Sequence, residues 1–254
     1  MIGVYDSGVG GLTILNRIRG LLPDGDLLYL ADQANLPYGD RTLDQVRHLA
    51  ADAVELLIGW GATTVVVACN TASAAALTEL RERFESCSIV GMEPAVRPAA
   101  DSTRSGVIGV LATTPTFEAP RFVDLVGRFA DGVEVIALAC PGWAAAVEEQ
   151  WPDGASEAIR DHLQPLLDTG VDTIVLGCTH YSFLADVIAS VVGDVVTVVD
   201  PADAVARQTA RVADASGSGL TRYFTTGDPA RLAAQVMRLV GDVVEVESAG
   251  SASI

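Results

Sequence analysis

The feature that most constrains this chain is an internal repeat. Ile2-Gly3-Val4 recurs 106 residues on as Ile108-Gly109-Val110, and a hydroxyl-bearing loop follows each copy. Leu28-Tyr29-Leu30-Ala31-Asp32 is matched 108 residues on by Ile136-Ala137-Leu138-Ala139-Cys140. Thr64-Val65-Val66-Val67-Ala68-Cys69 is matched 109 residues on by Thr173-Ile174-Val175-Leu176-Gly177-Cys178, and Glu93-Pro94-Ala95 is matched 107 residues on by Asp200-Pro201-Ala202. Four matches in one order at nearly one offset predict two copies of a single folding unit.

Short β-branched runs alternate with helical stretches such as Leu43 to Trp60 and Ala74 to Phe84. Runs apolar throughout, rather than alternating, indicate parallel strands buried on both faces. The expected fold class is therefore α/β: two pseudo-symmetric half-domains, each a mainly parallel sheet flanked by helices, with the active site in the cleft between them. Proline interrupts the chain near Glu93-Pro94 and Asp200-Pro201. We expect residues 1–94 plus 206–254 to form a first domain carrying Asp6 and Cys69, and residues 95–205 a second carrying Glu148, Cys178 and His180. The tail is read as a strand over Arg222–Thr226, a helix over Pro229–Val240, a last strand over Val243–Val246, and fraying from Ser248.

Composition narrows the chemistry. A net charge of −17 repels nucleic-acid phosphates and anionic membranes, so neither is expected as a partner. All 16 basic residues are arginine. A lysine Schiff base is thus unavailable, which excludes pyridoxal phosphate, and no cofactor is expected. The four cysteines, Cys69, Cys87, Cys140 and Cys178, stand too far apart in sequence for CxxC sites, so reduced thiols and no metal centre are expected. No apolar run approaches a membrane span and the first residues lack a signal-peptide pattern, so a cytoplasmic protein is expected.

The repeat puts a cysteine at the carboxyl end of each buried strand, where open parallel sheets bind ligands. A cysteine after a strand is ordinarily a small buried hydrophobe; two in register are better explained as a pair. Two thiols pointing inward from opposite lobes address both faces of one carbon, which suits a racemase, since one group must remove an α-proton and the other return one. Asp6 is placed to assist Cys69, and His180 to assist Cys178. Glu148 is placed to reach His180. Loop N–H groups and hydroxyls of Asn70, Thr71 and Thr179 are candidates for the substrate carboxylate. Cys87, Cys140, His48 and His162 are assigned to structure, and Gly8, Gly10 and Gly11 to a turn.

Five blocks carry a resemblance: Asp6-Ser7-Gly8-Val9-Gly10-Gly11-Leu12-Thr13, Pro37-Tyr38-Gly39, Ala68-Cys69-Asn70-Thr71-Ala72-Ser73, Ala112-Thr113-Thr114 and Gly177-Cys178-Thr179-His180-Tyr181. Together they resemble the glutamate racemases of the aspartate/glutamate racemase family. The resemblance implies L- to D-glutamate conversion for peptidoglycan synthesis, Cys69 and Cys178 as proton donor and acceptor, and help from Asp6, Glu148 and His180. It also implies substrate contacts from Asp6, Ser7, Pro37, Tyr38, Gly39, Asn70, Thr71, Thr113, Thr114, Thr116, Thr179 and His180, and a homodimer or a monomer exchanging with one. Ser182 stands where the family usually has proline, and Trp143-Ala144-Ala145 replaces a more aliphatic stretch. Asp6 lies near the first residue, so the activator-binding N-terminal extension of some relatives is not expected. The alternatives are an aspartate or hydantoin racemase of the same design, or a further protein-binding role in which the acidic surface imitates DNA in a topoisomerase channel.

Overall fold

The structure, a computed structural model, describes residues 1–150, 155–214 and 216–250. Its strands are β1 (Ile2–Asp6), β2 (Leu27–Ala31), β3 (Thr64–Val67), β4 (Ser88–Gly91), β5 (Val107–Ala112), β6 (Glu134–Ala139), β7 (Thr173–Leu176), β8 (Thr197–Val199), β9 (Thr221–Thr225) and β10 (Val246–Ser248). They form a six-stranded sheet of order β10-β9-β2-β1-β3-β4 and a four-stranded sheet of order β6-β5-β7-β8. Every pairing among the described residues is parallel.

The repeat reappears as register. Ile2 pairs with Thr64 and Leu27, while Ile108, its counterpart, pairs with Thr173 and Val135. Thr64 pairs onward with Ser88, and Thr173 with Thr197. Strands β2-β1-β3-β4 and β6-β5-β7-β8 are thus the same unit twice, and β9 and β10 extend only the first copy. The repeated glycine has a packing cause. A Cβ on Gly3 would lie 3.0 Å from Leu57 Cδ1, and one on Gly109 2.6 Å from Leu166 Cδ2. In both units a leucine of a covering helix rests on the bare backbone of the central strand.

The central strands are sealed on both faces. Val65, Val66 and Val67 are fully buried, as are Ile174, Val175 and Leu176, each worth about 1.5–3 kcal/mol of transfer free energy. Helix Leu43–Gly59 begins at a capping box between Thr42 and Gln45, which satisfies N–H groups the first turn otherwise leaves open. Helix Asn70–Arg83 starts directly after Cys69 and carries Arg81 and Arg83 in its last turn, where cations oppose the helix dipole.

The tail crosses back to the first sheet, where β9 pairs with β2 from Leu27↔Thr221 to Ala31↔Thr225. Helix Ala202–Val212 packs on helix Leu12–Leu21, and Arg17 reaches from the latter to Asp203 at 2.6 Å and Asp200 at 3.3 Å. The last strand differs from its expected span. It runs over Val246–Ser248, because Val243 is 89% exposed whereas Ala249 is buried and its N–H donates to Thr225 O at 2.8 Å. Pairing thus persists through Ser248, where fraying is expected; residues 251–254 lie outside the described residues. No helix among the described residues is long and apolar enough to cross a membrane.

Candidate active site

Both strand-end cysteines line one cavity of about 360 Å³. Cys69 follows β3 in an extended conformation (φ −62°, ψ 120°) and immediately precedes its helix. Cys178 follows β7 in the same way and precedes the 3₁₀ turn Thr179–Leu184. The cleft wall on the first lobe includes Ser7, Pro37, Tyr38, Gly39, Asn70 and Thr71, and on the second Thr113, Thr114, Glu148, Thr179 and His180. Asp6 and Thr116 stand one layer behind that wall, both buried.

Around Cys178 the groups form a line. Its sulfur lies 3.8 Å from His180 Nδ1, and His180 Nε2 lies 2.8 Å from Glu148 Oε1. Glu148 is 4% exposed, yet its carboxylate is fully supplied with donors. Oε1 also accepts from Val9 N at 2.7 Å, and Oε2 accepts from Gln33 Nε2 at 3.1 Å and Gln235 Nε2 at 3.0 Å. Four acceptor positions filled by four donors suit the ionised carboxylate. Burial opposes its charge, but the bonds to His180, Val9 and Gln33 hold the carboxyl below its ordinary value. Burial likewise opposes a charged His180, and the thiol and carboxylate flanking it win, raising the imidazole well above its ordinary value. With Nε2–H directed at Glu148, Nδ1 is left to take a proton from Cys178.

Cys69 is served differently. Its sulfur donates to Ser7 Oγ at 3.7 Å. Burial, and then the charge of Asp6, push this thiol up to about 12, although the backbone N–H of Ala72 and the Ser7 hydroxyl favour the thiolate. Asp6 is itself pushed up by burial, and it bridges the lobes: Oδ1 accepts from Gly8 N at 2.9 Å and Oδ2 from Thr179 Oγ1 at 3.0 Å. The expected Asp6–Cys69 relationship is thus electrostatic, while the side chain bonded to Asp6, that of Thr179, adjoins Cys178.

A second group of polar residues lines the cavity around Asn70. Asn70 is 2% exposed and lines the cavity, and neither its Nδ2 nor its Oδ1 has a partner. A buried amide without partners costs free energy unless a ligand completes it. Beside it, the hydroxyls of Thr71, Thr113 and Thr116 lie 2.9, 3.0 and 3.5 Å apart across the cleft. Tyr38 departs from a simple contact residue: its hydroxyl donates to Asp32 Oδ2 at 2.6 Å and lies 2.6 Å from Tyr5 Oη. The hydroxyl is committed to the wall, and the residue anchors the Pro37-Tyr38-Gly39 loop.

Cys140 is buried in the hydrophobic core as expected, and it also borders the cavity. Its thiol faces Leu138 O at 3.5 Å and burial pushes it up. His48 and His162 bond to backbone carbonyls, Asp44 O and Ala139 O. Gly10 and Gly11 are more than turn residues: a Cβ on Gly10 would lie 2.3 Å from Thr179 Oγ1, and one on Gly11 2.8 Å from Asp6 Cβ. Sequence reasoning missed Gln33 and Arg231, which line the cavity, and Asp32 and Gln235 behind it. Their partners are remote in the chain and no local pattern marks them. Among the described residues no cluster of His, Cys, Asp and Glu is gathered closely enough to hold a metal ion.

A two-lobed α/β fold with a thiol at each of two equivalent strand ends defines a class, and comparison agrees: the chain belongs to the Asp/Glu/Hydantoin racemase family, whose model matches residues 13–209. Its particular relatives are glutamate racemases. That of Roseiflexus sp. (strain RS-1) is 48% identical over 248 residues, covering 94% of this chain and 91% of that protein. The crystal structure of glutamate racemase isoform RacE1 from Bacillus anthracis superposes with a TM-score of 0.87 at 31% identity, covering 98% of this chain and 96% of that one. Escherichia coli glutamate racemase, solved with L-glutamate and the activator UDP-MurNAc-ala, gives 0.87 at 31% identity, covering 97% and 96%.

Proposed function

We propose that this chain interconverts L- and D-glutamate by cofactor-independent proton transfer between two cysteines, and so supplies D-glutamate for peptidoglycan. The observation that carries this reading is the placement of Cys69 and Cys178 at equivalent ends of equivalent strands, lining one cavity. In one direction a thiolate removes the α-proton while the opposite thiol protonates the planar carbon from the other face. The reverse direction exchanges the roles, and nothing is consumed. Each step takes general acid–base assistance worth about 10²–10⁴-fold.

The two thiols are assisted asymmetrically. Cys178 passes its proton to His180 Nδ1, and Glu148 stabilises the imidazolium. Cys69 has no such base bonded to it, and it becomes a thiolate by releasing its proton to solvent as the substrate ammonium enters beside it and offsets the charge of Asp6. Asn70 and the hydroxyls of Thr71 and Thr113, backed by that of Thr116, receive a carboxylate, which also stabilises negative charge as the α-carbon flattens. Pro37, Gly39 and Thr114 shape the walls. The lobes are read as residues 1–94 plus 206–254 and residues 95–205, supported by the two sheets. A homodimer and a cytoplasmic location belong to the same reading and rest on the family resemblance.

The test is to incubate purified protein, without added cofactor, with each enantiomer of glutamate and of aspartate, following optical rotation. Loss of rotation with glutamate supports the reading. Reaction with aspartate alone overturns the substrate assignment.

A further inference from the structure

Behind the His180–Glu148 pair lies a chain of two amides, Gln33 at the cavity edge and buried Gln235 outside it, that the two-cysteine reaction does not require. Gln235, 5% exposed on helix Pro229–Val240, donates through Nε2 to Glu148 Oε2 at 3.0 Å and to the Glu148 carbonyl at 2.7 Å. Its Oε1 accepts from Gln33 Nε2 at 2.7 Å. Gln33 uses its other N–H on Glu148 Oε2, and its own Oε1 accepts from the hydroxyl of Thr225, a fully buried residue of β9. Both hydrogens of each amide are thereby used, which fixes the orientation of both side chains. One turn along, Arg238 donates to the carbonyls of Val147 and Glu148.

These donors come from the first lobe and its returning tail, whereas Glu148 sits on the short helix Trp143–Glu149 of the second. Glu148 is therefore held where His180 needs it by the opposite lobe. From this we infer that Gln235 is a positioning residue for proton transfer at Cys178, acting through Glu148 and His180 and leaving Cys69 untouched. The inference rests on the racemase reading above.

That asymmetry gives a signature that a general structural defect lacks. The equilibrium constant between enantiomers is unity, so any variant must lower kcat/KM equally in both directions. Slowing only the Cys178 step makes it more rate-limiting. The primary isotope effect with α-deuterated substrate then rises for the enantiomer whose proton Cys178 removes, and falls for the enantiomer deprotonated by Cys69.

The experiment measures kcat/KM and α-deuterium isotope effects for both enantiomers in wild type and Gln235→Leu. The expected result is a loss of kcat/KM of about tenfold or more, in the range seen when outer supporting hydrogen bonds are removed, with isotope effects moving in opposite directions. Isotope effects that stay put or move together overturn the proposal while leaving the racemase reading standing. If Gln235→Leu does not fold, Gln235→Glu decides. Its carboxyl and that of Glu148 share a proton at low pH, keeping a donor in place, so activity relative to wild type should fall as pH rises. A flat ratio overturns the proposal. Wild type that leaves both enantiomers unchanged removes the racemase reading, and this inference with it.

Discussion

Gly8 lies so near Glu148 that a Cβ on it would stand 1.8 Å from Glu148 Oε1. The two lobes meet at that contact, where the loop after β1 gives its N–H groups to carboxylates instead of covering them with side chains. Gly8→Ala should therefore cost about 1–3 kcal/mol or more, the range for overpacking a filled site, and should reduce racemase activity by displacing Glu148. Gly20→Ala is the contrast. A Cβ there meets nothing within 4 Å, and in the last turn of helix Leu12–Leu21 the change should stabilise by at most about 0.5–1 kcal/mol. Denaturant melts of both variants check this; equal effects would show that the close approach is not what requires glycine at position 8.

Asn70 should separate binding from stability. Because both polar atoms of its amide are buried without partners, Asn70→Ala removes no hydrogen bond from the free protein, and its melting midpoint should stay close to wild type. Its KM for glutamate should rise about 10- to 100-fold, corresponding to a lost hydrogen bond to a charged group of about 1.5–3 kcal/mol. An unchanged KM would mean the amide does not meet the substrate.

Cys69 should resist ionisation in the free protein. Burial, then Asp6, push Cys69 up to about 12, so alkylation of Cys69 by iodoacetamide, followed by peptide mapping, should accelerate by about tenfold per pH unit across the alkaline range, as thiolate chemistry requires. Asp6→Asn removes a negative charge that disfavours the thiolate. The thiol then titrates lower, and Cys69 alkylates faster at pH 8 than in wild type. An equal or slower rate would show that Asp6 does not act on Cys69 through its charge.

What could be read from the sequence follows from how local each signal is. The strands are legible because β3 and β7 are apolar and rich in β-branched residues after a first threonine, and the cysteine pair because Cys69 and Cys178 hold the same place in two copies. Asp6, His180 and Asn70 sit within two residues of a strand end or a cysteine, so short spacing found them. Gln33 and Gln235 reach Glu148 across 115 and 87 residues of chain, and amides on a short 3₁₀ turn and a helix look like ordinary surface polar residues until the tail folds back. Gly8 and Gly10 carry ordinary negative φ; their need for glycine comes from atoms of the other lobe. The last strand lies later than propensity alone places it, because Val243-Val244 suit a strand by residue type while pairing with β9 begins at Val246.

The most direct measurement follows glutamate enantiomers in deuterated water with wild type, Cys69→Ala and Cys178→Ala, recording both optical rotation and α-deuterium. Two-thiol transfer predicts that wild type converts each enantiomer with solvent deuterium at the α-carbon of the product. Each single variant, although folded, should lose racemisation by about 10²-fold or more. Racemisation at the wild-type rate by either variant would contradict the account.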